Sequence, residues 1–283
     1  TASPPCPMSR RASPSSAART AGSETSVTPG VSPEQTMDAL AGKVALVTGG
    51  AGGIGAAISR RLAAAGATIV ATCRSRAERA EALIASLPGH GHWAQVASVT
   101  DSAALAALAA AIDARHGRLD ILVNNAGVTR VVPHADLDAL DDALIDEIFA
   151  TNWRGAFACT RACHTLLQRQ QGVIVNISSI AGTTAVGSNI AYCASKAALD
   201  NLTRSLARAL APAVRVLSVA PGWVTGEYAS RADPAYLAEQ VARTPLGRIA
   251  SPEDVAEAVY AACTALRFTT GAILPVDGGR PLA

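Results

Sequence analysis

The stretch KVALVTGGAGGIGAAISRRLAAAGATIVATCRSR, residues 43–76, decides the fold. It opens on an unbroken apolar run, "KVALVT" (43–48), passes through clustered glycines, continues as the alanine- and arginine-rich "AAISRRLAAAGA", and ends in a second apolar run, "TIVAT" (68–72). Short apolar runs flanking a longer helical stretch read as strand, turn, helix, strand. Neither run alternates polar with apolar, so both strands are expected to be covered on both faces, the condition of a parallel sheet. Glycines at the strand–helix junction let the backbone turn sharply and approach a pyrophosphate, while the helix N-terminus supplies N–H groups and a partial positive charge. The spacing Gly49-x-x-x-Gly53-x-Gly55 is looser than the dinucleotide fingerprint Gly-x-Gly-x-x-Gly. Its weight comes from where it stands, between the first strand and the first helix.

The same alternation continues outward. "HWAQVAS" (92–98), "LDILVN" (119–124), "GVIVNIS" (172–178), "VRVLSVA" (214–220) and "AILPV" (272–276) read as further strands, with helices such as "SAALAALAAAIDARHG" between them. Right-handed crossovers then predict a doubly wound α/β Rossmann fold, a mostly parallel seven-stranded sheet with helices on both faces. No internal repeat is visible.

Composition sets outer bounds. The 283 residues, 49% hydrophobic and 16% charged, can bury a sizeable core. A formal charge of +2, without a basic stripe interleaved with aromatics, argues against nucleic acid as a partner. The most apolar stretch, "AALAALAAAI" (103–112), is bounded by Asp101 and Asp113 and is too short to cross a membrane. The six cysteines (Cys6, Cys73, Cys159, Cys163, Cys193 and Cys263) lack paired spacing, and no second pair completes a zinc site around Cys159 and Cys163. Free thiols and a cytoplasmic location are expected, with no metal. His90 and His92 read as ordinary loop residues.

Residues 1–36 differ from the rest. They are rich in Ser, Pro, Ala and Thr, carry Arg10, Arg11 and Arg19 against Glu24 and Glu34, and have no hydrophobic periodicity. The expectation is a disordered tail, or an upstream-extended start with Met37 as the natural one, ahead of a single domain over 37–283. An Arg/Ser-rich, acid-poor leader also has the character of a transit peptide, but Pro4, Pro5, Pro7 and Pro14 break any helix.

The end of the second strand bears on cofactor choice. An acid there would hold a ribose 2′-hydroxyl and repel a 2′-phosphate. The sequence reads "ATCRSR" (71–76): no acid, then Arg74 and Arg76, whose guanidinium groups suit a phosphate. NADP(H) is therefore favoured, with NAD(H) possible; Gly52 in the glycine loop offers no second basic contact.

Tyr192 and Lys196, in "AYCASK" (191–196), stand four apart and so share one helix face. Proton donation to a carbonyl needs a phenol that ionises near working pH. Moving it from about 10 to near 7 takes roughly 4 kcal/mol of anion stabilisation. A cation at about 5 Å supplies on the order of 3 kcal/mol at an effective dielectric near 20.

Together these segments resemble the short-chain dehydrogenase/reductase family, from about residue 40 to the C-terminus. "TGGAGGIG" (48–55), "NNAG" (124–127), "TNWRGAF" (151–157), "NISS" (176–179), "YCASK" (192–196), "APGWV" (220–224), "PLGR" (245–248), "SPEDVAEAV" (251–259) and "VDGG" (276–279) fall in family order. The resemblance implies a catalytic set of Asn152 as relay to a water, Ser179 as carbonyl anchor, Tyr192 as acid/base and Lys196 as its partner. It implies a cofactor site of Thr48, Gly49, Gly53, Ile54, Gly55, Arg74, Asn125, Ala126, Gly127, Tyr192, Lys196, Pro221, Gly222 and Val224. "NNAG" is expected to tie strands together, Ser178 to cap a turn, and Asp277 to form a turn and subunit contact. Three positions depart from the usual pattern: Ser98 where many members have Asp, with Asp101 at the helix start; Leu217 where Asn is frequent; and Gly226, beside Thr225, where Thr is usual.

The implied activity is hydride transfer between a nicotinamide cofactor and a ketone or secondary alcohol. A 3-oxoacyl thioester leads as substrate; an NAD-linked sugar or alcohol dehydrogenase and a non-catalytic redox sensor are the alternatives. A homotetramer or dimer is implied as well. Specificity is expected in 128–137 and 223–244, with Trp223, Tyr228 and Tyr236 as candidate pocket aromatics. Arg169 and Arg208 read first as surface arginines, second as a dock for an acidic carrier protein.

Overall fold

A computed structural model describes residues 39–226 and 233–282; the expected tail, Met37 and Tyr228 lie outside them. The expected strands form as β1 (Val44–Val47), β2 (Thr68–Cys73), β3 (Trp93–Val96), β4 (Ile121–Asn124), β5 (Val173–Ile177), β6 (Arg215–Pro221) and β7 (Ile273–Val276). The helices are α1 (Gly53–Ala64), α2 (Ala77–Ser86), α3 (Ser102–His116), α4 (Asp142–Phe149), α5 (Ala156–Arg169), the short α6 (Ala181–Thr184), α7 (Ile190–Leu210), α8 (Pro234–Ala242) and α9 (Pro252–Thr264). One seven-stranded sheet runs in the order β3-β2-β1-β4-β5-β6-β7. Every strand pairing is parallel. Among the described residues, crossovers that contain helices, not hairpins, join consecutive strands, as parallel pairing requires.

The unbroken apolar strands follow from two cores. Ala45 and Val47 point into one cluster with Ile58 and Leu62 of α1 and Val255 and Val259 of α9. Val44 and Leu46 point the other way, among Leu108 and Ile112 of α3, Leu166 of α5 and Leu199 of α7. A two-residue period thus distributes one strand between two covered faces, each fully buried Leu or Ile worth about 2 kcal/mol.

Side chains place the helix starts. Asp101 accepts the N–H groups of Ala103 (2.9 Å) and Ala104 (3.0 Å). Asp141 accepts that of Leu144, and Ser251 and Asp254 form a reciprocal capping box on α9. At the amino-terminal ends of the central strands β1 and β4, the buried Asp120 carboxylate accepts from Val44 N–H (2.9 Å), Lys43 Nζ (3.1 Å) and the Arg118 fork (2.8 and 2.9 Å). Burial would raise its pKa, but the Arg118, Val44 and Lys43 hydrogen bonds outweigh that and hold it below the ordinary carboxylate value.

β1 pairs with β2 on one side and β4 on the other. The strand order reverses there, and a crevice opens beyond the carboxyl ends of the strands.

Candidate active site

The glycine loop forms the first wall of that crevice. Gly49 and Gly53 have φ of 63° and 44°, a region L side chains rarely adopt. A Cβ on Gly55 would stand 2.3 Å from the Gly49 carbonyl oxygen, so that position must be glycine for α1 to start against the loop. A Cβ at Gly52 or Gly53 would meet nothing within 4 Å; this stretch of backbone lies open. α1 starts with no side-chain cap and no acid in its first turn. Its first N–H groups therefore suit an anion. The cradle fits the pyrophosphate of a dinucleotide.

Thr48 and Asn125 hold this loop. The buried Thr48 hydroxyl accepts from the N–H groups of Asn125 (3.0 Å) and Ala126 (3.1 Å). The Asn125 amide donates to the carbonyls of Thr48 (2.9 Å) and Gly49 (3.1 Å). Asn124 donates to Asn176 Oδ1 across β4 and β5 at 2.8 Å, so "NNAG" does tie strands together.

The cavity, of about 1880 Å³, is lined by Gly49, Gly53, Ile54, Arg74, Asn125, Ala126, Gly127, Ser179, Tyr192, Lys196, Pro221, Gly222 and Val224 among others. Thr48, Gly55 and Asn152 stand behind the wall and support it. Arg76, Arg79, Ser98 and Arg154 line the same cavity as Arg74. Arg74 pairs with Glu147 at 3.5 Å, both side chains well exposed. Arg79 was signalled only by its place one helical turn after Arg76; Glu147 had no sequence signal.

Lys196 is deeply buried, and its Nζ donates to the Ile177 carbonyl at 2.8 Å. Burial pulls its pKa from 10.5 down to about 8, against an opposing pull from Asp200. The Nζ lies 5.6 Å from the centre of the Tyr192 ring. The Ser179 hydroxyl, half-buried at the end of β5, contacts the Pro221 carbonyl (3.4 Å) and the Ala181 N–H (3.2 Å). Ser178 instead turns inward to the Lys196 carbonyl at 3.3 Å.

Asn152 sits in a π-helical turn, Ala150–Gly155, between α4 and α5. It accepts from Val128 N–H (2.8 Å) and donates to the Val128 carbonyl and Ser195 Oγ (3.1 Å each). A Cβ on Gly127 would lie 3.4 Å from Asn152 Oδ1 and 3.8 Å from Lys196 Nζ, so the two flank that glycine. Sequence reading missed Asp200, one turn beyond Lys196 and buried, which accepts from Ser218 Oγ at 3.3 Å.

Other expectations fall as follows. Trp223 and Tyr236 pack edge-to-face at 5.4 Å and both line the cavity. Asp277 accepts from the Gly279 N–H at 2.9 Å, a turn packed beside Gly222. Arg169 pairs with Asp113. His92 accepts from the Ile69 N–H and bonds the Pro88 carbonyl, a loop role. Cys159 and Cys163 are buried in α5, burial pushing the Cys163 thiol up to about 12. Among the described residues no His, Cys, Asp or Glu cluster could hold a metal. None of their helices is long and apolar enough to cross a membrane.

A dinucleotide cradle at the strand-order reversal, beside a Ser, Tyr and Lys gathered at one cavity, defines a nicotinamide-dependent oxidoreductase fold. Comparison with known proteins agrees. A family model described as enoyl-(acyl carrier protein) reductase matches residues 49–280. A protein named as ketoacyl reductase 2 of the granaticin polyketide synthase, from Streptomyces violaceoruber, is 42% identical over 248 residues, 87% of this chain and 98% of that one. D-threitol dehydrogenase of Mycolicibacterium smegmatis is 40% identical over 246 residues, 85% and 93% of the two chains. A short-chain dehydrogenase/reductase structure from Brucella melitensis superposes with a TM-score of 0.80 at 30% identity, covering 85% of this chain and 97% of that one. The chain belongs to the short-chain dehydrogenase/reductase family, oxidoreductases acting on CH–OH groups with a nicotinamide cofactor.

Proposed function

We propose that the protein is an NADP(H)-preferring reductase of ketones, with 3-oxoacyl thioesters as the leading substrate class. The observation that carries the catalytic reading is the Lys196 ammonium, buried, held on the Ile177 carbonyl at 2.8 Å and 5.6 Å from the Tyr192 ring. A cation so placed favours the phenolate and lets Tyr192 exchange a proton near neutral pH. When bound, the nicotinamide supplies the hydride to the carbonyl carbon. Tyr192 gives its proton to the carbonyl oxygen, and the Ser179 hydroxyl turns to donate to that oxygen as negative charge develops. Asn152, across Gly127 from Lys196, keeps one lone pair of Oδ1 for a water that resupplies the proton.

Four features support the choice of cofactor and substrate. β2 ends in Cys73 rather than an acid, and Arg74, Arg76 and Arg79 line the cavity. Val128, Val131, Ile180, Val186, Trp223 and Tyr236 line the cavity among polar residues such as Thr129, Arg130 and Gln240, and these apolar side chains offer contact to an acyl chain that a polyol would not use. The named ketoacyl reductase relative points the same way. The family makes a cytoplasmic homo-oligomer the accompanying expectation.

The test is Tyr192→Phe, with turnover followed by nicotinamide absorbance over ketones, 3-oxoacyl thioesters and polyols. Turnover should fall about 10²–10⁴-fold while NADPH binding persists. Undiminished turnover in the variant ends the catalytic assignment, and polyols outpacing thioesters in the wild type ends the substrate assignment.

A further inference from the structure

The residue just before the catalytic helix carries more contacts than capping requires. Asn189 is fully buried and caps α7: its Oδ1 accepts the N–H of Tyr192 at 2.7 Å. Serine, threonine or aspartate would satisfy that need equally well. What asparagine adds is an NH₂ group with two donors. Here both are used. One goes to the Arg130 carbonyl at 2.7 Å, the other to Thr129 Oγ1 at 3.3 Å.

Those partners belong to the segment after β4, which lines the same cavity as Tyr192 through Val128, Thr129, Arg130 and Val131. The neighbouring Ser188 extends the contact. Its carbonyl accepts from Val132 N–H at 2.8 Å, and its hydroxyl bonds that of Thr129. At the segment's other end the Asn152 amide grips both backbone groups of Val128. The wall is therefore strung between two side-chain amides, one of them bonded to the Tyr192 backbone itself.

We propose that Asn189 is a positioning residue that sets the gap between the Tyr192 hydroxyl and the 128–132 wall, and thereby selects which ketones fit. One primary amide fixes both sides of the gap: its oxygen orients the first turn of α7, and its nitrogen holds the facing segment. The selectivity part rests on the reading of the cavity as a ketone site; the anchoring part does not.

Two variants separate cap from clamp. Asn189→Asp and Asn189→Ser keep an acceptor for the Tyr192 N–H, and neither can donate to both Thr129 and Arg130. Hydrogen exchange at the Val128 and Val132 amides, read in the full chain without substrate, should rise about tenfold in both variants, the size expected for one or two lost hydrogen bonds. The amide of Tyr192 should stay as protected as in the wild type. In kinetics, the ratio of kcat/KM between small and bulky ketones should change about tenfold, with the KM for NADPH unchanged. Unchanged exchange at Val128 and Val132 overturns the anchoring. Altered exchange with every ketone slowed by one common factor overturns the selectivity. If the wild type reduces no ketone of the panel, the proposed function fails and the selectivity with it, while exchange still judges the anchoring.

Discussion

Lys196 shows what a buried charge costs its own protein. Its ammonium keeps a proton in the folded chain only below about 8, whereas the unfolded chain keeps it to 10.5. Between those values the unfolded state binds more protons, so this group makes stability rise with pH across that window; below about 8 its burial is a constant cost of about 3 kcal/mol. Lys196→Met should therefore raise Tm at pH 7, by an amount reduced through loss of the hydrogen bond to Ile177. The difference from wild type should shrink toward pH 10.5 in thermal melts, and a gap that widens with pH contradicts the burial argument. Gly55 is the steric counterpart. With 2.3 Å between a Cβ there and the Gly49 oxygen, Gly55→Ala must displace the loop. NADPH affinity should fall at least about tenfold, measured by fluorescence titration, even though alanine is the better helix former.

At the level of elements, the start of β1 and the approach to β4 are joined by one carboxylate. Asp120 is buried and accepts four hydrogen bonds from Val44, Lys43 and Arg118. Because its folded pKa lies below the unfolded 3.8, its stabilisation is present above about pH 4 and is lost as pH falls through the lower, folded value. Asp120→Asn should cost about 3 kcal/mol at neutral pH. Its stability, read by urea titration, should also be less sensitive to acid than that of the wild type. Equal acid sensitivity would mean that other carboxylates govern acid unfolding. The π-helical turn between α4 and α5 works at the same scale: its wider winding turns Asn152 inward, away from the regular stripe.

For the whole molecule, ligand binding and stability are linked. NADPH at about a hundred times its Kd should add about 2.7 kcal/mol, a rise of roughly 5 °C in Tm. NADH at the same concentration should add less, and Arg74→Ala should narrow the difference. An equal shift by both cofactors in the wild type contradicts the NADP preference. How much of this was legible depends on the range of the interaction. Strand and helix identity, the glycine turn and the Tyr192–Lys196 pair are local: period, backbone sterics and one helical turn act between neighbours in the chain, so the sequence by itself determined them. The pairing of Arg74 with Glu147, the retreat of Thr48, Gly55 and Asn152 behind the cavity wall, and the double grip of Asn189 join residues between 24 and 77 positions apart or depend on which way a side chain turns. Only the tertiary structure decided these, because hydrogen bonds and burial are set by what the folded chain brings within about 3 Å, and spacing along the chain carries no record of that.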